Sequence, residues 1–223
     1  MAPKLFFENI LWSEGYTLIA GVDEVGRGPL AGPVVAAAVI LPLKNYIAFK
    51  DSKILTSRSR SRIYKKILKE AVSIGLGSVS PEEIDRVNIH RATLKAMSQA
   101  VERLSPAPDF ILVDGLFPVP LGIPQKPLTK GETKSFSIAA ASIVAKVVRD
   151  RMMEDLDREF PAYNFKQNRG YGTGEHQRAI RTFGISPCHR ISFKGVKEYC
   201  GQETSKQLLL FREGRGEDCP FLP

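Results

Sequence analysis

Four short runs are apolar on both sides of an extended backbone: residues 17–22, 34–41, 75–80 and 110–113. Runs of this length, bounded by glycine, proline or acidic residues, read as buried strands. Three longer segments change period. In residues 57–72, Ile63, Ile67, Leu68, Ala71 and Val72 fall on one helical stripe, with Arg58, Arg60, Arg62, Lys65, Lys66 and Lys69 elsewhere. Residues 89–104 repeat Leu94, Met97, Val101 and Leu104 at helical spacing. Residues 135–160 carry Ile138, Ala141, Ala145, Val148, Met152 and Leu156 on one face. Strands alternating with helices predict an α/β layered fold. Residues 26–33, between the first two strands, are too few for a crossover helix, so they predict an antiparallel hairpin and a mixed sheet. Residues 159–189 are rich in glycine, asparagine and aromatics and read as loop plus short helix. The expected division is one catalytic domain over residues 1–200 and a partly mobile tail over 201–223.

The chemistry sits where apolar runs end. Asp23 and Glu24 close the first run and are followed at once by Gly26-Arg27-Gly28. Asp114 closes the fourth run and precedes Gly115. A desolvated carboxylate needs a cation or several hydrogen bonds, and ligand sites in α/β sheets lie beyond the carboxyl ends of strands. Neighbouring central strands would bring Asp23 and Asp114 to one cation. Successive strand residues point to opposite faces, so Glu24 joins them only if the strand stops or bends, which Gly26 allows. A fourth acid is either Glu132, in Lys130-Gly131-Glu132, or Asp150, inside the long helical segment; Arg149 and Arg151 flank Asp150, which favours a surface ion pair for it. Carboxylates without a zinc-like histidine pair suit Mg²⁺ or Mn²⁺. Two such ions about 4 Å apart would clamp the attacking and leaving oxygens of a phosphodiester.

Charge and composition narrow the partners. The 223 residues carry a formal net charge of +8, which leans towards a polyanion such as nucleic acid. The three cysteines, Cys188, Cys200 and Cys219, fit no zinc spacing and read as reduced thiols. No stretch reaches the ~18 apolar residues of a membrane span, and residues 1–12 lack a signal-peptide core. A cytoplasmic monomer is expected.

Gly26-Arg27-Gly28-Pro29-Leu30-Ala31 also matches G-x-G-x-x-A, with Asp51 at the distance of a ribose contact. A dinucleotide fold needs a helix after the glycines, yet Pro29, Gly32 and Pro33 interrupt it and a strand follows. The other competing class is a basic nucleotide- or hybrid-binding protein without hydrolytic activity. Carboxylates in a phosphate groove speak against it unless metal neutralises them.

Together these residues resemble ribonuclease HII, the type 2 ribonuclease H of bacteria, over residues 21–193. The blocks are GVDEVGRGPLAGPVV at 21–35, Asp51-Ser52-Lys53, Leu112-Val113-Asp114-Gly115, SIAAASIVAK at 137–146 followed by Arg149-Asp150-Arg151, Gly170-Tyr171-Gly172-Thr173 with His176, and Ser186-Pro187, His189-Arg190 and Ser192-Phe193. The resemblance implies a ribonuclease H-like fold, a mixed sheet flanked by helices with a small C-terminal helical extension. It implies hydrolysis of RNA in RNA–DNA hybrids and incision 5′ to single ribonucleotides embedded in DNA, leaving 3′-hydroxyl and 5′-phosphate ends. Asp23, Glu24 and Asp114 match three of the family's four metal-binding acids. The fourth is usually the aspartate of K-G-D, a position that holds Glu132 here.

The resemblance also assigns substrate contacts: backbone groups of Gly26, Arg27 and Gly28 to the 2′-hydroxyl, and Tyr171 to the sugar at the RNA–DNA junction. The other reading of residues 170–174 is an ordinary glycine turn with an aromatic plug. Lys53 is expected on a phosphate. Gln207-Leu208-Leu209-Leu210-Phe211 resembles the peptide by which bacterial replication proteins dock on the sliding clamp; an apolar stretch packing on the domain is the alternative.

Overall fold

The computed structural model describes residues 5–43 and 57–200. Asp51, Lys53 and residues 207–211 lie outside them. In order, the described elements are α1 (Phe6–Ser13), β1 (Ile19–Val25), β2 (Val34–Ile40), α2 (Ser57–Glu70), β3 (Ser73–Val79), α3 (Pro81–Val87), α4 (Ile89–Glu102), β4 (Phe110–Asp114), β5 (Gln125–Leu128), α5 (Phe136–Glu159), α6 (Phe165–Asn168) and α7 (Gly174–Phe183).

The strands form one mixed sheet in the order β3-β2-β1-β4-β5. β1 pairs antiparallel with β2 and β2 with β3, whereas β1–β4 and β4–β5 are parallel. All seven residues of β2 are buried, as its uninterrupted apolar sequence requires of a strand covered on both faces. Pairing tells the faces apart. Gly75 and Gly77 pair with Ala38 and Ala36, so these four open onto one face. A Cβ at either glycine would collide with backbone carbonyls of α4, at Ala100 and Ala96; the missing side chains let α4 settle on the strand. Gly21 pairs with Val39 on the opposite face, and a Cβ there would strike the backbone of Ser137 and Ile138. The first turn of α5 therefore lies directly on β1. On that face Ala37, Val39, Tyr64 and Ile67 pack against Ala141, Val144 and their neighbours on α5, and Leu11 of α1 packs with Ile19, Leu112 and Ile138.

The chain forms two compact units. One comprises Met1–Arg27, Val34–Val79 and Ile89–Arg149; the other comprises Gly28–Pro33, Ser80–Asn88 and Asp150–Pro223. In the second, Leu30, Met153, Tyr163, Phe165, Ile180 and Val196 share a core. The Gly28–Pro33 segment is laced to residues 188–190 there: Gly32 N–H donates to the Cys188 carbonyl (2.8 Å), Arg190 N–H to the Leu30 carbonyl (2.8 Å), and Ala31 and His189 form a β-bridge.

Three elements differ from the sequence expectation. Ser80, placed at a strand end, is instead the N-cap of α3: its hydroxyl accepts the Glu83 N–H (3.2 Å) and Pro81 stands at the first helical position. β5, with Lys126 and Pro127, has no apolar alternation; proline is tolerated because the strand is an edge. On α5, Met153 rather than Met152 is fully buried, in the core that it shares with Leu30 and Phe165.

Candidate active site

β1 and β4 run parallel and in register from Ile19–Phe110 to Val22–Val113. The next residue on each strand is an aspartate, Asp23 and Asp114. Matched residues of a parallel pair point to the same face, and Asp23 shares its face with Gly21, the side on which α5 lies. Register alone thus sets the two carboxylates side by side. Carboxylate oxygens of Asp23, Glu24 and Asp114 all lie within 4.8 Å of one another. β1 neither stops nor bends away at Asp23: it stays paired with β2 through Val25, and only its pairing with β4 ends. The longer arm of Glu24 brings its carboxylate back to the shared point.

The cluster is electrostatically costly. Burial pushes the Asp23 carboxyl well above its ordinary value, and the charges of Glu24 and Asp114 push it further, against hydrogen bonds from Ser142 and the Glu24 amide (2.7 Å). Burial raises Glu24 as well; Arg27, 3.4 Å away, opposes this and Asp114 adds to it. Three mutually repelling oxygen donors, with no sulfur or imidazole among them, are the donor set of a hard divalent cation. The residues fit such an ion.

Asp114 is held from the next loop. The Gly131 N–H donates to Asp114 Oδ1 (2.6 Å). The Gly131 carbonyl accepts the Ser135 N–H (2.9 Å), and the Ser135 hydroxyl donates to Glu8 Oε1 (2.6 Å), which also takes the Ser137 N–H (3.0 Å). Glu8, on α1, is buried, and burial raises its carboxyl above the usual value despite these bonds. Sequence reasoning missed Glu8, Ser135 and Ser142, since nothing local marks a lone glutamate or serine as a partner of a distant loop. Glu132 follows Gly131 but is not among the carboxylates within 4.8 Å of one another. Asp150 faces Arg169 (Nε to Oδ1, 3.7 Å), and its sequence neighbour Arg149 is fully buried rather than a surface partner.

Of the other predicted site residues, the second unit holds Gly28 and Tyr171. Gly26, at the end of the first, has φ +95° and starts the turn. A Cβ at Gly28 would meet only the Tyr171 ring, at 3.7 Å. That ring is about half exposed, at 48%. The Gly170 carbonyl accepts the Leu30 N–H (2.8 Å), tying the two loops together. Beneath lies a pair the sequence did not reveal. Ser186 N–H donates to His189 Nδ1 (2.9 Å); His189 Nε2 and His176 Nε2 are 3.0 Å apart; His176 Nδ1 is 2.9 Å from the Tyr171 carbonyl. An amide donor at one end and a carbonyl acceptor at the other assign the tautomers: His189 carries its hydrogen on Nε2 and His176 on Nδ1, both neutral.

The description of ribonuclease HII as a family matches residues 20–196. The chain is 56% identical over 189 residues to the ribonuclease HII of Syntrophus aciditrophicus, covering 84% of this chain and 89% of that one. It is 52% identical over 193 residues to that of Listeria monocytogenes, covering 86% and 74%. Among solved structures, the ribonuclease H2 of Pyrococcus horikoshii superposes with a TM-score of 0.70 at 26% identity, over 81% of this chain and 96% of that one. The Archaeoglobus fulgidus RNase HII, solved in complex with PCNA, gives 0.68 at 26% identity, over 79% and 95%.

Burial, and then the neighbouring His176, lower the His189 pKa to about 3; burial lowers His176 too, with its bond to Tyr171 opposing. Tyr163, pushed up to about 12 by burial and by Cys188, is the phenol of that core and stays neutral. The Arg190 guanidinium donates twice to the Gly32 carbonyl (3.0 and 2.8 Å). Unfolded, His176 and His189 would protonate below about pH 6.5, whereas in the fold burial keeps both neutral to lower pH. Their contribution to stability is therefore complete above that pH and is lost as pH falls, at up to about 1.4 kcal/mol per unit for a fully titrating group. Urea midpoints between about pH 7 and pH 5 should fall more steeply for the wild-type chain than for His189→Asn. Parallel curves would contradict a neutral buried pair.

Proposed function

The chain belongs to the ribonuclease HII family, and we propose that this endoribonuclease of RNA–DNA hybrids also incises DNA 5′ to a single embedded ribonucleotide, through Asp23, Glu24 and Asp114. The convergence of those three carboxylates within 4.8 Å carries the reading. They would hold two Mg²⁺ or Mn²⁺ ions, with Glu132 proposed as a fourth acid from the turn that grips Asp114. Bound there, the cations would supply Lewis-acid polarisation of the scissile phosphate and a more acidic attacking water.

The chain's own groups do the rest. The Gly131 amide orients Asp114. Arg27 holds the Glu24 carboxylate from the solvent side. The 2′-hydroxyl is the feature that separates a ribose from its neighbours. Bare backbone at Gly26, Arg27 and Gly28 can approach it, and the exposed Tyr171 ring beside Gly28 offers a face for the junction sugar. Lys53 is proposed as a phosphate contact. The net charge of +8 suits the polyanion. No helix among the described residues is long and apolar enough to cross a membrane, and the reading places the enzyme in the cytoplasm. Residues 207–211 are proposed to dock on a sliding clamp, a reading the PCNA complex of the Archaeoglobus protein supports.

A duplex with one ribonucleotide, incubated with and without divalent metal, tests the reaction. The wild-type chain should cut it 5′ to the ribonucleotide only with metal, and Asp114→Asn should bind it yet cut orders of magnitude more slowly. Wild-type rates from that variant, or metal-free cutting, would overturn the assignment. Clamp affinity of the full chain should drop in Phe211→Ala; equal binding, or none by either chain at high micromolar concentration, removes the docking proposal.

A further inference from the structure

Tyr171 can read a sugar only if its ring is held against the open backbone of Gly28. About half of its surface faces solvent, so packing around the ring constrains it only in part. The rest of the constraint comes from its backbone. The Tyr171 carbonyl accepts the Thr173 N–H (2.8 Å) and the His176 Nδ1–H (2.9 Å). The Tyr171 N–H donates to the Asn168 carbonyl (2.9 Å), and Gly170 N–H to the Asn168 side chain (2.7 Å).

His176 is itself oriented. Its Nε2 meets His189, whose other nitrogen is locked by the Ser186 amide. His189 belongs to the same short stretch, residues 188–190, that pairs with Ala31 and pins Gly32 and Leu30. One segment therefore orients both partners: through its backbone it places the turn that contains Gly28, and through the two imidazoles it places Tyr171. Both rings are buried among Tyr163 and Phe165, with centroids 4.9–6.3 Å from those aromatics. An apolar side chain would fill that space without aiming a donor at the Tyr171 carbonyl. The imidazole pair supplies direction as well as volume.

We propose that His176 and His189 are positioning residues for Tyr171, holding its ring opposite Gly28 and thereby setting the preference for substrates with an RNA–DNA junction over uniform hybrids. This rests on the reading of Tyr171 and Gly28 given above. The imidazoles touch no substrate. They act through the carbonyl of the residue that does.

The experiment compares kcat/KM on a single-ribonucleotide duplex and on a uniform RNA–DNA hybrid for wild type, Tyr171→Ala, His176→Phe and His176→Asn, with Tm for each. Tyr171→Ala and His176→Phe should both lower the ratio of the two values, by up to about a hundredfold, the scale of a misplacement of about 1 Å at a reactive centre. His176→Asn keeps a donor where Nδ1 stood and should retain most of the ratio. A purely structural histidine would lower Tm and both activities together and leave the ratio unchanged, which overturns the proposal. Equal losses in His176→Asn and His176→Phe overturn it too, because the directed bond would then be irrelevant. If Tyr171→Ala leaves the ratio intact, the Tyr171 reading itself fails. If Tyr171→Ala shifts it and His176→Phe does not, only the positioning role fails. Should His176→Phe not fold, His189→Asn, which removes the donor to His176, gives the same comparison.

Discussion

Three carboxylates that repel one another are held within 4.8 Å at the ends of two parallel strands. At an effective dielectric near 20, each like-charged pair at such a distance costs on the order of 3 kcal/mol. A chain does not keep such a cluster for packing. The strand register that brings Asp23 against Asp114 also builds the central sheet, so the repulsion is built into the fold and is relieved by taking up a proton or a cation. A divalent cation would relieve it, and the same cation could polarise a phosphodiester for attack.

The framework around that cluster works by close approach. Gly21 lets the first turn of α5 rest on β1, which puts Ser142 within reach of Asp23. Glu8 gathers Ser135 and Ser137 at the start of α5, and Ser135 in turn holds the Gly131 carbonyl whose amide grips Asp114. An N-terminal helix thus reaches the chemistry through three hydrogen-bonded links. In the second unit a comparable chain of bonds runs from Ser186 through two histidines to Tyr171. Asp114 and Tyr171 are each placed through hydrogen bonds that reach back to buried side chains, Glu8 in the first case and His189 in the second.

Those buried groups are what the sequence conceals. β1, β2 and β4 were legible because strands covered on both faces are apolar without interruption, and Asp23, Glu24 and Asp114 stood out as charges ending such runs. The hairpin followed from the length of residues 26–33. β5 was invisible because an edge strand needs no apolar alternation and tolerates Pro127. Glu8 and Ser135 are 127 residues apart, and no local pattern couples them. His176 and His189 fit no metal spacing, yet the fold joins them as a neutral hydrogen-bonded pair. Periodicity reports which face is covered. It does not report which polar atoms meet beneath that face.

The most direct measurement is the thermal stability of wild type and Asp23→Asn, with EDTA and with millimolar Mg²⁺ or Mn²⁺. A chain of this size shifts by roughly 2–4 °C per kcal/mol. Without metal the variant should melt several degrees above wild type, because one buried repelling charge is gone. Added cation should raise wild type substantially and the variant little. A wild-type chain that melts above Asp23→Asn in EDTA and does not respond to divalent metal would contradict an acidic cluster built to hold one.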